Sequence, residues 1–167
     1  MPVLPRGMVA FLFTDIEGST RLWERDADAM RQSLTRHNAI LGEAIAAHGG
    51  VHFKTIGDAF QAAFPDVTAA IEAAVAAQRM LAAETWPETG PVRARMAIHV
   101  GEAAPLGGGG ERPDYLAPSL NRLARLLAAG HGGQTLLTGV ARSLALESLP
   151  ADVTLRDLGL HRLRDLL

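Results

Sequence analysis

The sequence predicts an α/β chain, an α+β sandwich built on a ferredoxin-like βαββαβ core with a C-terminal α/β extension. Three observations lead there. The hydrophobic period switches between short apolar runs and helical spacing in the order β-α-β-β-α-β. Glycine, proline and aspartate fall at the switches, where turns and caps need them. Hydrophobic residues make up 48% of 167 residues and charged residues 20%, which is enough apolar surface for a packed core.

Residues 8–14 form a short apolar run rich in β-formers between Gly7 and Gly18, and read as a buried strand. From Ser19 to about His48 the period becomes helical, with Trp23, Met30, Leu34, His37, Leu41 and Ile45 in register. This is one long helix or two joined near Asp26, closed by the glycines of His48-Gly49-Gly50. Residues 51–55 and 59–64 read as strands joined by a hairpin turn at Gly57-Asp58. Pro65-Asp66 opens a helix to about Ala83, and Val92 to Ala103 is the next strand.

Residues 104–113, with four consecutive glycines, read as a flexible surface arm. The glycine run lacks the Lys-Ser/Thr pair and the following helix that a phosphate loop needs. Pro118 starts a helix through Ala129, residues 135–138 form a strand and Val140–Leu146 a short helix. Val153–Leu163 is expected to be a strand, or a hairpin turning at Leu158-Gly159. One domain over 1–167 is expected, with 1–7 as an N-terminal tail.

Composition narrows the function. A net charge of −2 argues against polymeric nucleic acid or an anionic membrane as the main partner. No apolar stretch approaches the roughly 18–20 residues that span a bilayer, and the Pro-interrupted N-terminus does not read as a signal peptide. The absence of cysteine removes thiol catalysis and Cys-ligated metal, and suits a cytoplasmic location.

The predicted topology has a chemical consequence. The strand from 59 to 64 should lie between the other two and antiparallel to them, so Asp15 and Asp58 should meet on one rim of the sheet. Either aspartate alone is an ordinary cap or turn former. Together, with no thiol in the chain, they suit hard oxygen-seeking cations such as Mg²⁺ or Mn²⁺, which bridge to substrate phosphates. Gly18, Ser19 and Thr20, opening a helix, supply donors for phosphate oxygens.

Three segments carry a resemblance to a known family. These are Phe13-Thr14-Asp15-Ile16-Glu17-Gly18-Ser19-Thr20, Lys54-Thr55-Ile56-Gly57-Asp58, and the run from Asp114 through Asn121 and Arg125 to Leu126. In this order and spacing the chain resembles the class III adenylate/guanylate cyclase catalytic domain, from about Val9 to the C-terminus. Residues 129–137 further resemble its bacterial adenylate cyclase members.

The resemblance implies that Asp15, the Ile16 carbonyl and Asp58 bind two Mg²⁺ or Mn²⁺ ions. It implies that Lys54 and Asp114 read the purine, a Lys/Asp pair being the adenine-selecting combination. Asn121 would orient the ribose, Arg125 would stabilise charge on the α-phosphate, and Arg164 would contact the triphosphate where relatives carry Lys. The activity implied is conversion of ATP to 3′,5′-cyclic AMP and pyrophosphate at sites shared across a head-to-tail homodimer. Three features depart from the family: Leu116-Ala117 replaces an aromatic and a glycine, Glu102 stands where some members carry a phosphate-binding arginine, and the chain stops at Leu167 before the last family strand is expected to finish. The alternatives are a guanylate or mixed-specificity cyclase, and a nucleotide-binding or dimerisation module without turnover.

Overall fold

A computed structural model describes residues 3–106 and 114–164. The central strand β1 (Gly7–Ile16) is buried along most of its length because both of its faces are covered, which is why its sequence is a continuous apolar run. Alternation sends Val9, Phe11 and Phe13 into one apolar cluster and Ala10 and Leu12 into the other. The helical region that follows is two helices, α1 (Ser19–Arg25) and α2 (Ala27–Ala47). Asp26 makes the break: extended in backbone, it caps α2 by accepting from the N–H groups of Asp28 and Ala29. α1 buries no residue, so Trp23 stands 37% exposed instead of joining the apolar face of α2.

Strands β2 (Val51–Ile56) and β3 (Ala59–Phe64) form the expected hairpin, with Ile56 opposite Ala59 and Gly57 in the left-handed region at φ 61°. Helix α3 (Val67–Ala83), capped by Asp66, leads to β4 (Ala94–Ala103). The strands β5 (Pro105–Leu106) and β6 (Asp114–Tyr115) pair antiparallel. The start of the expected flexible arm is therefore paired with the residues that follow it, and its residues 107–113 lie outside the described residues. Helix α4 (Pro118–Ala129), β7 (Thr135–Leu137) and α5 (Gly139–Ala145), capped by Thr138, complete the regular structure of the described residues.

The main sheet runs β2-β3-β1-β4-β7, with β3 antiparallel to both β2 and β1, β4 antiparallel to β1, and β7 parallel to β4. Its first four strands are the βαββαβ core, and β7 with α5 is the extension. Helices α2, α3 and α5 cover one face, burying residues such as Ile40, Leu41, Ile71 and Ala74 against Leu12 and Ile98. Helix α4 covers the other with Leu123 and Leu127 against Phe11, Phe13 and Ala97. The N-terminal tail is anchored, since Leu4 is buried in this second layer.

One expected element is absent. Residues 153–163 form neither strand nor hairpin ladder. Gly159 is left-handed at φ 78° and donates its N–H to Asp157 Oδ1 at 2.7 Å, but no turn or bend is formed there. Leu158 and Leu160 remain exposed, so the alternating pattern there has no sheet to bury against among the described residues.

Candidate active site

The antiparallel ladder decides what meets at the rim. Asp15 closes β1, and Asp58 sits in the turn that opens β3, the neighbour of β1. The Ile16 N–H donates to Asp58 Oδ2 at 2.6 Å, and Ser19 Oγ lies 3.2 Å from Asp58 Oδ1. Two carboxylates 43 residues apart in sequence are thus neighbours through a backbone amide, as the topology requires. Gly18 precedes α1 in the left-handed region at φ 67°, which turns the chain so that Ser19 faces Asp58. Thr20 follows, exposed, in the first turn.

Arg95 completes the rim, and the sequence reading missed it. It lies directly opposite Asp15 in the β1–β4 register. Its Nε donates to Asp15 Oδ1 at 2.7 Å and its Nη2 to Oδ2 at 2.5 Å, a two-pronged pair. Hydrogen bonding to Asp15 raises the Arg95 pKa above its ordinary value, helped by the charges of Asp15, Glu17 and Asp58 against a smaller opposing effect of burial. Glu17 in turn accepts from the Gly132 N–H at 3.0 Å, fastening the loop after α4 to the rim. Register would have revealed Arg95: once β1 and β4 are paired antiparallel, counting residues places Arg95 across from Asp15.

A second cluster lies at the β2 edge. Lys54 Nζ donates to Asp114 Oδ2 at 2.5 Å, and Asp114 Oδ1 accepts from the Tyr115 N–H at 2.7 Å. A register shift between His52 and Lys54 re-aims the strand there. Tyr115, part of the third motif but given no role in the sequence, anchors this pair: its ring meets Phe11 and Phe53 edge-on at 4.9 and 5.1 Å, and its hydroxyl donates to the Pro5 carbonyl at 2.7 Å. Burial pushes the Tyr115 phenol up to about 12, so it is a fixed donor at neutral pH.

Asn121 and Arg125 are exposed on α4. At 100° per residue they lie about 200° round the helix from the buried Leu123 and Leu127, so they face away from the sheet whose rim carries Asp15 and Asp58. Among the described residues, neither is brought to Asp15 or Asp58. Nor is Arg164, which ends the described C-terminal segment exposed, without a hydrogen bond or ion pair among the described residues.

The family model for the adenylate and guanylate cyclase catalytic domain matches residues 1–157. The chain belongs to that family. Among relatives of this cyclase domain, an uncharacterized protein of Mycobacterium tuberculosis is 37% identical over 97% of the chain, of which the chain spans 53%. The adenylate cyclase of Lachancea kluyveri is 36% identical over 80% of the chain, which covers only 8% of that protein. The domain is thus about half the length of its mycobacterial relative and a small part of the fungal one.

Among solved structures, a Trypanosoma brucei adenylate cyclase in its monomeric state superposes with a TM-score of 0.86 at 25% identity, covering 99% of this chain and 88% of that one. The guanylate cyclase domain of RhGC from Catenaria anguillulae superposes with a TM-score of 0.73 at 18% identity, over 83% and 82% of the two chains, and shares the fold. Among the described residues, no helix of the domain is long and apolar enough to cross a membrane.

Proposed function

We propose that this cyclase domain is an adenylate cyclase that converts ATP to 3′,5′-cyclic AMP and pyrophosphate. The observation that carries the reading is the Lys54–Asp114 pair, 60 residues apart in sequence and 2.5 Å apart in space. An ammonium beside a carboxylate matches the edge of adenine, with Lys54 donating to N1 and Asp114 accepting from the exocyclic amine. Guanine offers the reverse pattern, a protonated N1 and an O6 acceptor. Both side chains are about two-fifths exposed, so their ion pair adds little to stability and opens cheaply for a base.

Asp15 and Asp58, with the Ile16 carbonyl, would be the oxygen ligands for Mg²⁺ or Mn²⁺, a donor set that fits hard cations. Two such ions would activate the ribose 3′-oxygen and neutralise charge on the departing pyrophosphate. The protein supplies the rest by positioning. Gly18, Ser19 and Thr20 offer donors to phosphate oxygens, and Asn121 holds the ribose. Arg125 and Arg164 meet charge at the α-phosphate and along the triphosphate. Since Asn121 and Arg125 face away from their own rim, they serve the rim of a second copy, and a homodimer carries two shared sites.

The test incubates purified protein with Mn²⁺ or Mg²⁺ and either ATP or GTP, at concentrations where a dimer is demonstrated, and resolves the cyclic products. Cyclic AMP from ATP, in excess over cyclic GMP from GTP, is expected. No cyclic AMP with either metal would overturn the enzyme reading, and equal turnover of GTP would overturn the assignment of Lys54 and Asp114 as adenine readers.

A further inference from the structure

Arg95 stands in the place that the metal reading gives to a cation. Both Asp15 oxygens are held by its guanidinium, while Asp58 is held by the Ile16 amide and approached by the Ser19 hydroxyl. Among the described residues, Asp15 is the one carboxylate on this rim in a salt bridge. Guanidinium does not lose its proton in a protein, so it cannot make room for a metal ion by becoming neutral; it has to move. Its side chain is 27% exposed, so it has solvent beside it at the rim.

We propose that Arg95 is a displaceable counter-ion that admits the divalent cation to Asp15 only together with a triphosphate. The proposal rests on the reading of Asp15 and Asp58 as metal ligands. A divalent ion arriving alone at Asp15 meets a guanidinium on the same two oxygens and is repelled by it. A nucleotide arriving with the ion offers phosphate oxygens, which suit the planar fork of arginine as well as a carboxylate does. Arg95 then exchanges Asp15 for phosphate, and Asp15 is released to the metal. Arg95 is a positioning residue in this scheme: it sets the order and the mutual dependence of metal and nucleotide binding.

The experiment measures Mn²⁺ affinity directly, by the loss of the free-ion electron paramagnetic resonance signal, with and without a non-cyclisable ATP analogue. Wild-type protein should bind Mn²⁺ weakly alone and much more tightly with the analogue. Arg95→Gln should bind Mn²⁺ alone more tightly than wild type by at least about tenfold, the scale on which groups contacting a ligating carboxylate alter metal affinity. The gain from adding the analogue should shrink correspondingly. Arg95→Lys, which keeps the charge but loses the fork, should fall between the two.

Unchanged or weaker Mn²⁺ binding by Arg95→Gln, in protein whose circular dichroism and melting remain native, would overturn the role of Arg95. The double variant Asp15→Asn/Arg95→Gln separates that failure from failure of the underlying reading. If the double variant binds Mn²⁺ as tightly as Arg95→Gln, the ion is not at this rim, and the metal assignment itself falls.

Discussion

Lys54 Nζ and Asp114 Oδ2 stand 2.5 Å apart, the pair that the family resemblance assigns to the purine. Their contact depends on the register shift in β2 and on Tyr115, whose ring packs against Phe11 and Phe53 and whose amide holds the other Asp114 oxygen. Lys54→Met should keep the stem and remove the donor. Losing a hydrogen bond from a charged group costs about 1.5–3 kcal/mol, so kcat/KM for ATP should fall roughly 10- to 100-fold while that for GTP changes less. Steady-state kinetics on both nucleotides checks this. His37 gives a different kind of test. Its ring is fully buried, its Nε2 has no partner among the described residues, and it faces Phe60 edge-on at 6.1 Å. Burial lowers its pKa from 6.5, only partly offset by the hydrogen bond to Asn38 and by the charge of Asp58. Below pH 6.5 the unfolded chain therefore takes up a proton that the native ring refuses, and stability falls until the native pKa is passed. His99, also lowered by burial and by Arg122, adds to the same trend. His37→Gln should flatten, without abolishing, the acid-side fall in melting temperature between pH 7.5 and 5 (roughly the range flanking an ordinary histidine), as followed by scanning calorimetry.

At the scale of elements, the sequence was most readable where a local period met a local cap. The α1–α2 break at Asp26, the hairpin at Gly57-Asp58 and the start of α4 at Pro118 all carry their signal within a few residues. Residues 153–163 failed for the complementary reason: alternation specifies a strand only if a sheet edge is there to receive it, and that is not written locally. The contact of Glu17 with the loop after α4 is likewise invisible in sequence, being a bond across 115 residues. It rests on Gly132, where an added Cβ would sit 2.6 Å from both Arg93 Cβ and Glu17 Oε2. Gly132→Ala should destabilise the fold by about 1–3 kcal/mol, the usual cost of overpacking a tight contact, measured as a lower urea midpoint. Asp26→Ala, which removes only the cap of α2, should cost about 1 kcal/mol and leave the rim untouched.

For the whole molecule, the decisive feature is what one chain cannot bring together. Asp15 and Asp58 share a rim because the β2-β3-β1-β4 order forces it, and that much followed from the order of elements alone. Asn121 and Arg125 lie on the outer face of α4 because Leu123 and Leu127 claim the inner one. No rotamer change reverses a helix face, and turning α4 over would expose two buried leucines at about 1.5–3 kcal/mol each. The shared site proposed above makes a quantitative prediction. Asp15→Ala and Arg125→Ala should each be inactive as homodimers, since each loses the same group from both sites. Mixed in equal amounts, half of the dimers should be heterodimers when the two variants associate indifferently. Each heterodimer carries one site lacking both groups and one site lacking neither, so the mixture should regain about a quarter of the activity of wild type at equal total protein. Heterodimers isolated with two different tags should show half of wild-type activity per dimer. Recovery near zero in tag-purified heterodimers would mean that Asp15 and Arg125 serve the same chain's site, and α4 would have to reach its own rim by a rearrangement of the second apolar layer.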